Sequence, residues 1–382
     1  METQLTQSKV EEARKNLLKV GEALNRILVG REEEIEAALL ALVAKEHVVM
    51  IGPPGTGKTM LAVAIAKLLG VRAYTALLTR YTTLDEVIGP IDIAALRSGE
   101  VKRRWSYLVD SWLVFLDEIF KASSAILNAL LSLLNERVLY DPFTGAAVQT
   151  KLWTAIAASN ETPQDDELQA LYDRFAVKVF VNPISKNVEL VAKALETKWV
   201  NGAEEVEQVA SPEDVAVLYE HAMSLAPDAV KLYRKHVVPL VQLADSRGIF
   251  ISDRTIIEKL FKLFLAHLAL RGAADETVAA QAAVRLIRYV PRTPEELNDL
   301  NSAVNDMLEE VAELRKTLAE AKHLYQLGQY KHAMPKLKEV LTYDIEKLAD
   351  KPWLKEYVKS LMEEAQLYVQ KMSNFLSKAS SR

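Results

Sequence analysis

The sequence predicts an α/β domain, with a parallel sheet flanked by helices, followed by a long all-helical region. Up to about residue 184, short apolar runs alternate with helical segments, and such runs between turn signals are typical of buried strands. Strands that alternate with helices indicate a parallel sheet covered on both faces. After Asn182-Pro183 the pattern becomes helical. Only 13 of the 382 residues are glycine, below the usual ~7% share, which also favours helices over tight turns.

The predicted elements follow in order along the chain. Residues 8–46 are expected to form two helices joined at Val29-Gly30, because apolar residues recur there at helical spacing. A later helix begins at Ser211, with Pro212 in its first position. The buried strands are predicted at residues 47–51, 112–116, 152–158 and 176–181, with a weaker candidate at 72–77.

Residues 295–382 show the apolar spacing of long amphipathic helices. Apolar side chains alternate steps of three and four from Leu297 to Tyr325, which predicts one helix roughly 50 Å long. Gly328 is expected to end this helix. Two further helices are predicted over about 330–348 and 353–378. Three such helices in sequence indicate an antiparallel three-helix bundle.

The composition excludes several classes of protein. With 50% hydrophobic and 26% charged residues, the chain is globular rather than disordered or fibrous. The absence of cysteine excludes disulfides, cysteine zinc sites and thiol chemistry. A net charge of −5 argues mildly against a general nucleic-acid binder. The N-terminus has no signal-peptide pattern and no run approaches the ~18 apolar residues of a membrane span, so we expect a soluble cytoplasmic protein.

The strongest motif is a phosphate-binding loop that follows a predicted strand and opens a helix. Glycine amides in such a loop wrap phosphate groups, and the helix N-terminus adds positive potential. Lys58 would reach the β and γ phosphates, and Thr59 would offer a hydroxyl to Mg²⁺. A chance Gly-rich turn is the alternative, and the strand-to-helix context disfavours it. The motif consists of Gly52, Pro53, Pro54, Gly55, Thr56, Gly57, Lys58 and Thr59.

Two carboxylates end the next strong strand. Asp117 and Glu118 follow an apolar run about sixty residues after the phosphate loop. Asp117 is placed to hold Mg²⁺ through water, and Glu118 to orient and deprotonate an attacking water. Adjacent acids at a strand end often lie simply in solvent, but this spacing favours the catalytic interpretation.

A third polar strand end is Asn160, after the run at 152–158. In a sheet whose strand ends face a nucleotide, this amide could hold the attacking water or touch the γ phosphate. An ordinary turn is the alternative, since asparagine is common in turns.

These motifs, in this order, resemble those of an AAA+ ATPase, and more closely those of the MoxR family. Within that family, residues 168–174 and 251–254 most resemble the RavA-like branch. The resemblance implies ATP and Mg²⁺ as ligands and a homo-hexameric ring with ATP at subunit boundaries. It implies that Arg174 reaches into the neighbour's site, that Arg254 on the lid contacts phosphates of its own subunit, and that Asn160 is the first sensor. Val29 and Gly30 match the position against the adenine. Without the resemblance, either arginine would be interpreted as a surface residue in a salt bridge.

The resemblance also divides the chain. It implies an AAA+ nucleotide-binding domain over residues 1–184, an all-α lid over 185–292 and the helical bundle over 293–382. Two insertions are expected in the first domain, at 81–105 and as a hairpin at 137–151. These could face a substrate or be surface decoration. The bundle could stabilise the ring or dock a partner.

Three functions are compatible with the sequence. The first is a chaperone-like ATPase that remodels, assembles or activates partner proteins, and the family implies partners with a von Willebrand factor A (vWA) domain. The second is a nucleic-acid motor, for which residues 102–104 (Lys-Arg-Arg) are the candidate contact, although the acidic balance makes nucleic acid unlikely. The third is a scaffold in which nucleotide only controls assembly.

Overall fold

The computed structural model describes residues 6–163, 165–200, 207–326, 329–349 and 351–380. Gly328, the predicted helix end, lies outside the described residues. None of the helices in these ranges is both long and apolar enough to cross a membrane. The strands are β1 (Val48–Ile51), β2 (Ala73–Leu77), β3 (Leu113–Asp117), β4 (Val138–Tyr140), β5 (Ala147–Gln149), β6 (Thr154–Ser159) and β7 (Val177–Phe180).

The predicted parallel sheet is confirmed. Five strands pair in the order β2-β3-β6-β1-β7, all parallel. The three central strands are buried along nearly their whole length, as expected when helices cover both faces. Each strand of this sheet falls within one or two residues of its predicted position. The four stronger candidates are apolar runs with clear ends, whereas only one residue of β2 is buried.

The helices divide between two compact units. Residues up to Ser224, together with Ile257–Gly272, form the first unit, and Leu225–Ile256 with the residues from Ala273 onward form the second. The predicted division at residues 184 and 292 stays a prediction. The helices of the first unit are α1 (Gln7–Ile27), α2 (Glu32–Ala44), α3 (Lys58–Leu68), α4 (Leu84–Ile88), α5 (Ile93–Arg97), α6 (Ser124–Glu136), α7 (Asp166–Tyr172), α8 (Val188–Trp199), α9 (Pro212–Ser224) and α11 (Leu260–Arg271).

In the first unit, α1, α2, α9 and α11 pack against one another beside the sheet. The start of α9 confirms the predicted Ser211 signal: the Ser211 hydroxyl accepts a hydrogen bond from the Asp214 amide at 3.2 Å, and the Asp214 carboxylate accepts one from the Ser211 amide at 2.8 Å. This reciprocal pair satisfies donors that a helix start leaves unpaired.

The second unit is entirely helical within the described residues. Helices α14, α15 and α16 pack against one another, as predicted for the bundle, and α16 also packs on α10 and α12. The helices are α10 (Ala226–Ser246), α12 (Glu276–Leu286), α13 (Pro294–Glu309), α14 (Ala312–Gln326), α15 (Tyr330–Leu341) and α16 (Pro352–Ser380).

The single long helix predicted over 297–325 is instead two helices, α13 and α14. At the junction, the Val311 amide bonds to the Leu308 carbonyl at 3.3 Å, which tightens the chain into a turn. No proline or glycine stands there, and the apolar spacing continues across the junction, so the periodicity gave no sign of the break.

Candidate nucleotide site

The loop from Gly52 to Gly57 connects β1 to α3 at the edge of the sheet. Gly55 and Gly57 have φ angles of 77° and 88°, a left-handed region that glycine adopts without steric cost. Gly52 is needed for a different reason: a Cβ there would lie 2.3 Å from the Val181 carbonyl oxygen. The glycines thus allow the loop backbone to lie close against the segment that follows β7.

Lys58 lies at the start of α3, with its ammonium folded back over the loop. Its Nζ donates to the carbonyls of Gly52 at 2.6 Å and Pro53 at 2.9 Å. Burial lowers the pKa of Lys58, while the nearby carboxylates of Asp117 and Glu118 oppose that shift. A cation in this position can exchange loop carbonyls for phosphate oxygens, which are stronger partners because they are charged.

Arg31 supports the loop from outside and was not singled out by the sequence motifs. Its buried guanidinium donates to the Thr56 carbonyl from Nε and to the Asn182 carbonyl from Nη1, both at 2.8 Å. It therefore ties the phosphate loop to the segment after β7. The partners are backbone carbonyls far away in sequence, so no local pattern could have revealed this role.

The predicted carboxylate pair lies at the end of β3. Asp117 is its last residue, and its Oδ1 accepts the Glu118 amide at 3.0 Å. Glu118 has a φ of 53°, which is uncommon for a residue other than glycine and is often found at functional sites. Its carboxylate lies within 3.2 Å of Lys121 Nζ.

Asn160 contacts the carboxylate pair, and its predicted contact with water or the γ phosphate stays a prediction. It immediately follows β6, and its side-chain amide donates a hydrogen bond to Glu118 Oε1. Because β6 lies between β3 and β1 in the parallel sheet, the polar ends of these three strands occur at the same edge. Phosphate loop, carboxylates and Asn160 are thus brought together by topology.

The donor atoms suit a nucleotide with Mg²⁺. Thr59 is exposed next to Lys58, so its hydroxyl is accessible, and Asp117 is only partly buried. Hydroxyl and carboxylate oxygens are the ligands that Mg²⁺ takes in sites where phosphate supplies the rest. Glu118 Oε1 accepts the Asn160 amide and Oε2 lies 3.2 Å from Lys121 Nζ, so the carboxylate is held in place at this edge of the sheet.

Val29 and Gly30 join α1 to α2 as predicted. Val29 is buried, and Gly30 has a φ of 70°. A Cβ at Gly30 would lie 3.0 Å from side-chain atoms of both Ile184 and Leu190. This apolar surface is suited to the flat face of a base, and the assignment to adenine stays a prediction.

The two predicted arginines lie in different parts of the chain. Arg174 follows α7 in the first unit, in a tight turn whose neighbours Tyr172 and Phe175 are buried. Arg254 is exposed and belongs to the second unit. The roles of both residues stay predictions.

Both predicted insertions fold as ordered structure. The hairpin over 137–151 is confirmed as the antiparallel pair β4–β5, and the insertion at 81–105 carries α4 and α5. Arg103 links them, because its buried guanidinium pairs with Asp85 at 2.6 Å and with Asp141 at 3.0 Å. The middle residue of the candidate basic cluster is therefore unavailable to nucleic acid.

Comparison with known families decides the class of this fold. Residues 15–220, more than half of the chain, match the family model described as the MoxR domain in the MoxR-vWA-beta-propeller ternary systems. The chain belongs to the MoxR family of AAA+ ATPases. The matched range contains the phosphate loop, the carboxylate pair, Asn160 and Arg174.

The chain is also similar to individual proteins. This MoxR chain is 36% identical to an uncharacterised protein of Methanocaldococcus jannaschii over 265 residues, which is 68% of each chain. A second uncharacterised protein of that organism is 41% identical over 178 residues, 46% of each chain. A candidate ATPase of Cytophaga hutchinsonii has the same fold, with a TM-score of 0.54 and 18% identity, over 77% of this chain and 86% of that one.

Proposed function

We propose that this chain hydrolyses ATP with Mg²⁺ and uses the reaction to remodel, assemble or activate partner proteins. The observation that carries the proposal is the hydrogen bond from Asn160 to Glu118 at the edge of the sheet where the phosphate loop begins. A glutamate held by an amide donor beside the phosphate loop is the arrangement that activates water against a γ phosphate.

Each residue has a role in this proposal. Lys58 and the loop amides hold the phosphates, while Thr59 and Asp117 hold Mg²⁺, which neutralises phosphate charge. Glu118 accepts the proton of the attacking water, and Asn160 orients the glutamate and the water. Arg254 would contact the phosphates from the same subunit. Val29 and Gly30 would lie against the adenine.

The reaction would need a second subunit. Arg174 is proposed to stabilise the developing charge in the neighbour's site, as arginine fingers do. This requires a ring, for which we propose the hexamer of related ATPases. The likeness to the RavA-like branch rests on residues 168–174 and 251–254 and is part of the same proposal.

The partner proposed is a protein with a vWA domain. Its support is the family model, which describes MoxR domains that occur with vWA and beta-propeller proteins. The test is capture of a purified vWA-domain protein by Glu118→Gln held with ATP, compared with Lys58→Ala, which should not retain ATP. Stronger capture by Glu118→Gln is expected. Equal capture by both variants would contradict nucleotide-controlled remodelling.

The alternative of a nucleic-acid motor is not favoured, because Arg103 is buried in ion pairs. ATP hydrolysis should therefore be unaffected by added DNA at low salt, where phosphate contacts are strongest. A scaffold in which nucleotide controls only assembly predicts ATP-dependent rings with turnover below about 10⁻² s⁻¹, and a steady-state assay distinguishes it.

A further inference from the structure

The turn that carries Arg174 is held firmly on both sides. The Arg174 amide bonds to the Leu171 carbonyl at 3.0 Å, and the Phe175 amide to the Tyr172 carbonyl at 3.2 Å. The Tyr172 ring packs edge-on against Phe120, with ring centroids 5.5 Å apart. Phe120 belongs to the short helix that follows Glu118. The backbone at Arg174 is thus fixed relative to the carboxylate segment of its own subunit.

Two buried lysines donate to the carbonyls on either side of Arg174. Lys259 Nζ bonds to the Asp173 carbonyl, and Lys178 Nζ lies 3.4 Å from the Phe175 carbonyl. Both lysine side chains are buried. Burying an ammonium is costly unless it makes good hydrogen bonds, so a buried lysine that donates to a loop carbonyl helps to fix that loop.

Lys259 also lies in unusual backbone. Residues Thr255–Lys259 form a π-helical turn immediately before α11. Such turns are rare and frequent at functional sites. Arg254, the predicted lid arginine, directly precedes this turn. One short segment therefore begins beside Arg254 and ends at the lysine that holds the Arg174 loop.

We infer that Lys259 is a positioning residue for Arg174, which it fixes through the Asp173 carbonyl so that the guanidinium reaches the neighbouring subunit's ATP. The inference rests on the proposed trans role of Arg174. It adds a residue that no motif assigns, and it makes the segment after Arg254 part of the machinery of the adjacent site.

The first test is steady-state kinetics of Lys259→Met. Loss of the hydrogen bond should lower kcat about 10- to 100-fold, since a shift of about 1 Å in a catalytic group can cost that much. The KM for ATP should change less than about twofold, because the cis binding residues are intact. Lys259→Arg, which keeps a donor, should recover most of the rate. The matched control is Lys262→Met in the adjoining helix α11, whose lysine pairs instead with Glu46 at 2.9 Å. This control should keep wild-type kcat.

The decisive test mixes subunits in one assembly. Glu118→Gln subunits cannot hydrolyse ATP but supply an intact Arg174, so they should rescue Lys259→Met subunits and Arg174→Ala subunits alike. A mixture of Lys259→Met with Arg174→Ala should hydrolyse ATP no faster than the separate proteins, because both variants lack the same trans function.

The outcomes separate the two claims. If Arg174→Ala is rescued by Glu118→Gln and Lys259→Met is not, the positioning role of Lys259 is wrong and the trans role of Arg174 stands. If Arg174→Ala itself is not rescued, the proposed trans mechanism fails. A local folding defect in Lys259→Met would appear as loss that no partner subunit restores, and this too overturns the inference.

Discussion

At the scale of single residues, the phosphate loop contains one glycine that is required because a Cβ would not fit and another that is required because of its φ angle. Gly52 has an ordinary φ but no room for a Cβ, since Val181 O would lie 2.3 Å away. Gly55 has a φ of 77° and nothing within 4 Å of its Cβ position. The two glycines are therefore required for different physical reasons.

Gly52→Ala should be the more damaging of these two substitutions. A backbone carbonyl cannot easily move, so the loop must shift, at a cost of about 3 kcal/mol in unfolding free energy and with loss of ATP binding. Gly55→Ala should lower the unfolding free energy by only about 1 kcal/mol, the strain of an alanine in the left-handed region. Denaturant unfolding and nucleotide titration measure both effects. Equal destabilisation by the two variants would contradict this explanation.

The residues that sequence reasoning missed share one property. Arg31 and Lys259 act by donating to main-chain carbonyls that are far away in sequence. Glu118, Asn160 and the loop glycines could be predicted because their residue types and spacing are tied to the chemistry of phosphate. A lysine or arginine that holds a carbonyl leaves no such pattern, since any carbonyl can accept.

At the scale of elements, the strands were predictable and one helix boundary was not. Apolar runs with clear ends located four of the five strands of the parallel sheet, and the weaker candidate was β2. The break between α13 and α14 has neither proline nor glycine, so it depends on packing that the sequence does not display. The ion pairs that join the two insertions could not be predicted either, because Arg103 and Asp141 are distant in sequence.

Removing Arg103 should destabilise the first unit strongly. Arg103→Met leaves the buried Asp141 carboxylate without its cation, and breaking a buried pair in this way costs about 3–5 kcal/mol. The adjacent Lys102→Met removes only an exposed pair with Glu100 and should cost under about 1 kcal/mol. Equilibrium unfolding compares the two. Similar losses for both variants would show that the Arg103 pair has no special structural role.

The same pair gives a defined pH dependence. Burial raises the pKa of Asp141, but hydrogen bonds from Arg103 and Thr144 outweigh it, and the pKa lies below its ordinary 3.8. A carboxyl group whose pKa is lower in the folded state than in the unfolded state stabilises the fold when the pH is above the unfolded-state pKa. This contribution is lost as the pH falls through the folded-state pKa. The stability difference between wild type and Arg103→Met should thus be smaller at pH 3 than at pH 7, because acid removes the ion pair of wild type and neutralises the unpaired buried carboxylate of the variant. Unfolding at pH 7 and pH 3 tests this, and a difference that stays constant would contradict it.

At the scale of the whole molecule, the residues proposed to bind and hydrolyse ATP in cis belong to one compact unit, apart from Arg254 in the second unit. Lys58, Asp117, Glu118 and Asn160 all lie in the first unit. The proposed trans residue, Arg174, belongs to the same unit but is assigned to the neighbour's site. The proposal therefore needs assembly for activity.

Assembly should depend on nucleotide. With ATP, Glu118→Gln should form a six-subunit particle, because bound ATP favours the interface that Arg174 would complete. Lys58→Ala should remain in smaller species under the same conditions. Light scattering on the two variants measures this, and identical particle masses with and without ATP would contradict a nucleotide-dependent interface.

The most direct test of the central claim compares ATP binding with ATP turnover in Glu118→Gln. Affinity for ATP with Mg²⁺ should stay within about threefold of wild type, while kcat should fall at least ~100-fold, because the general base is lost. The exposed Asn128→Ala on α6 is the control and should retain full activity. Turnover by Glu118→Gln at the wild-type rate would show that this site does not hydrolyse ATP as proposed.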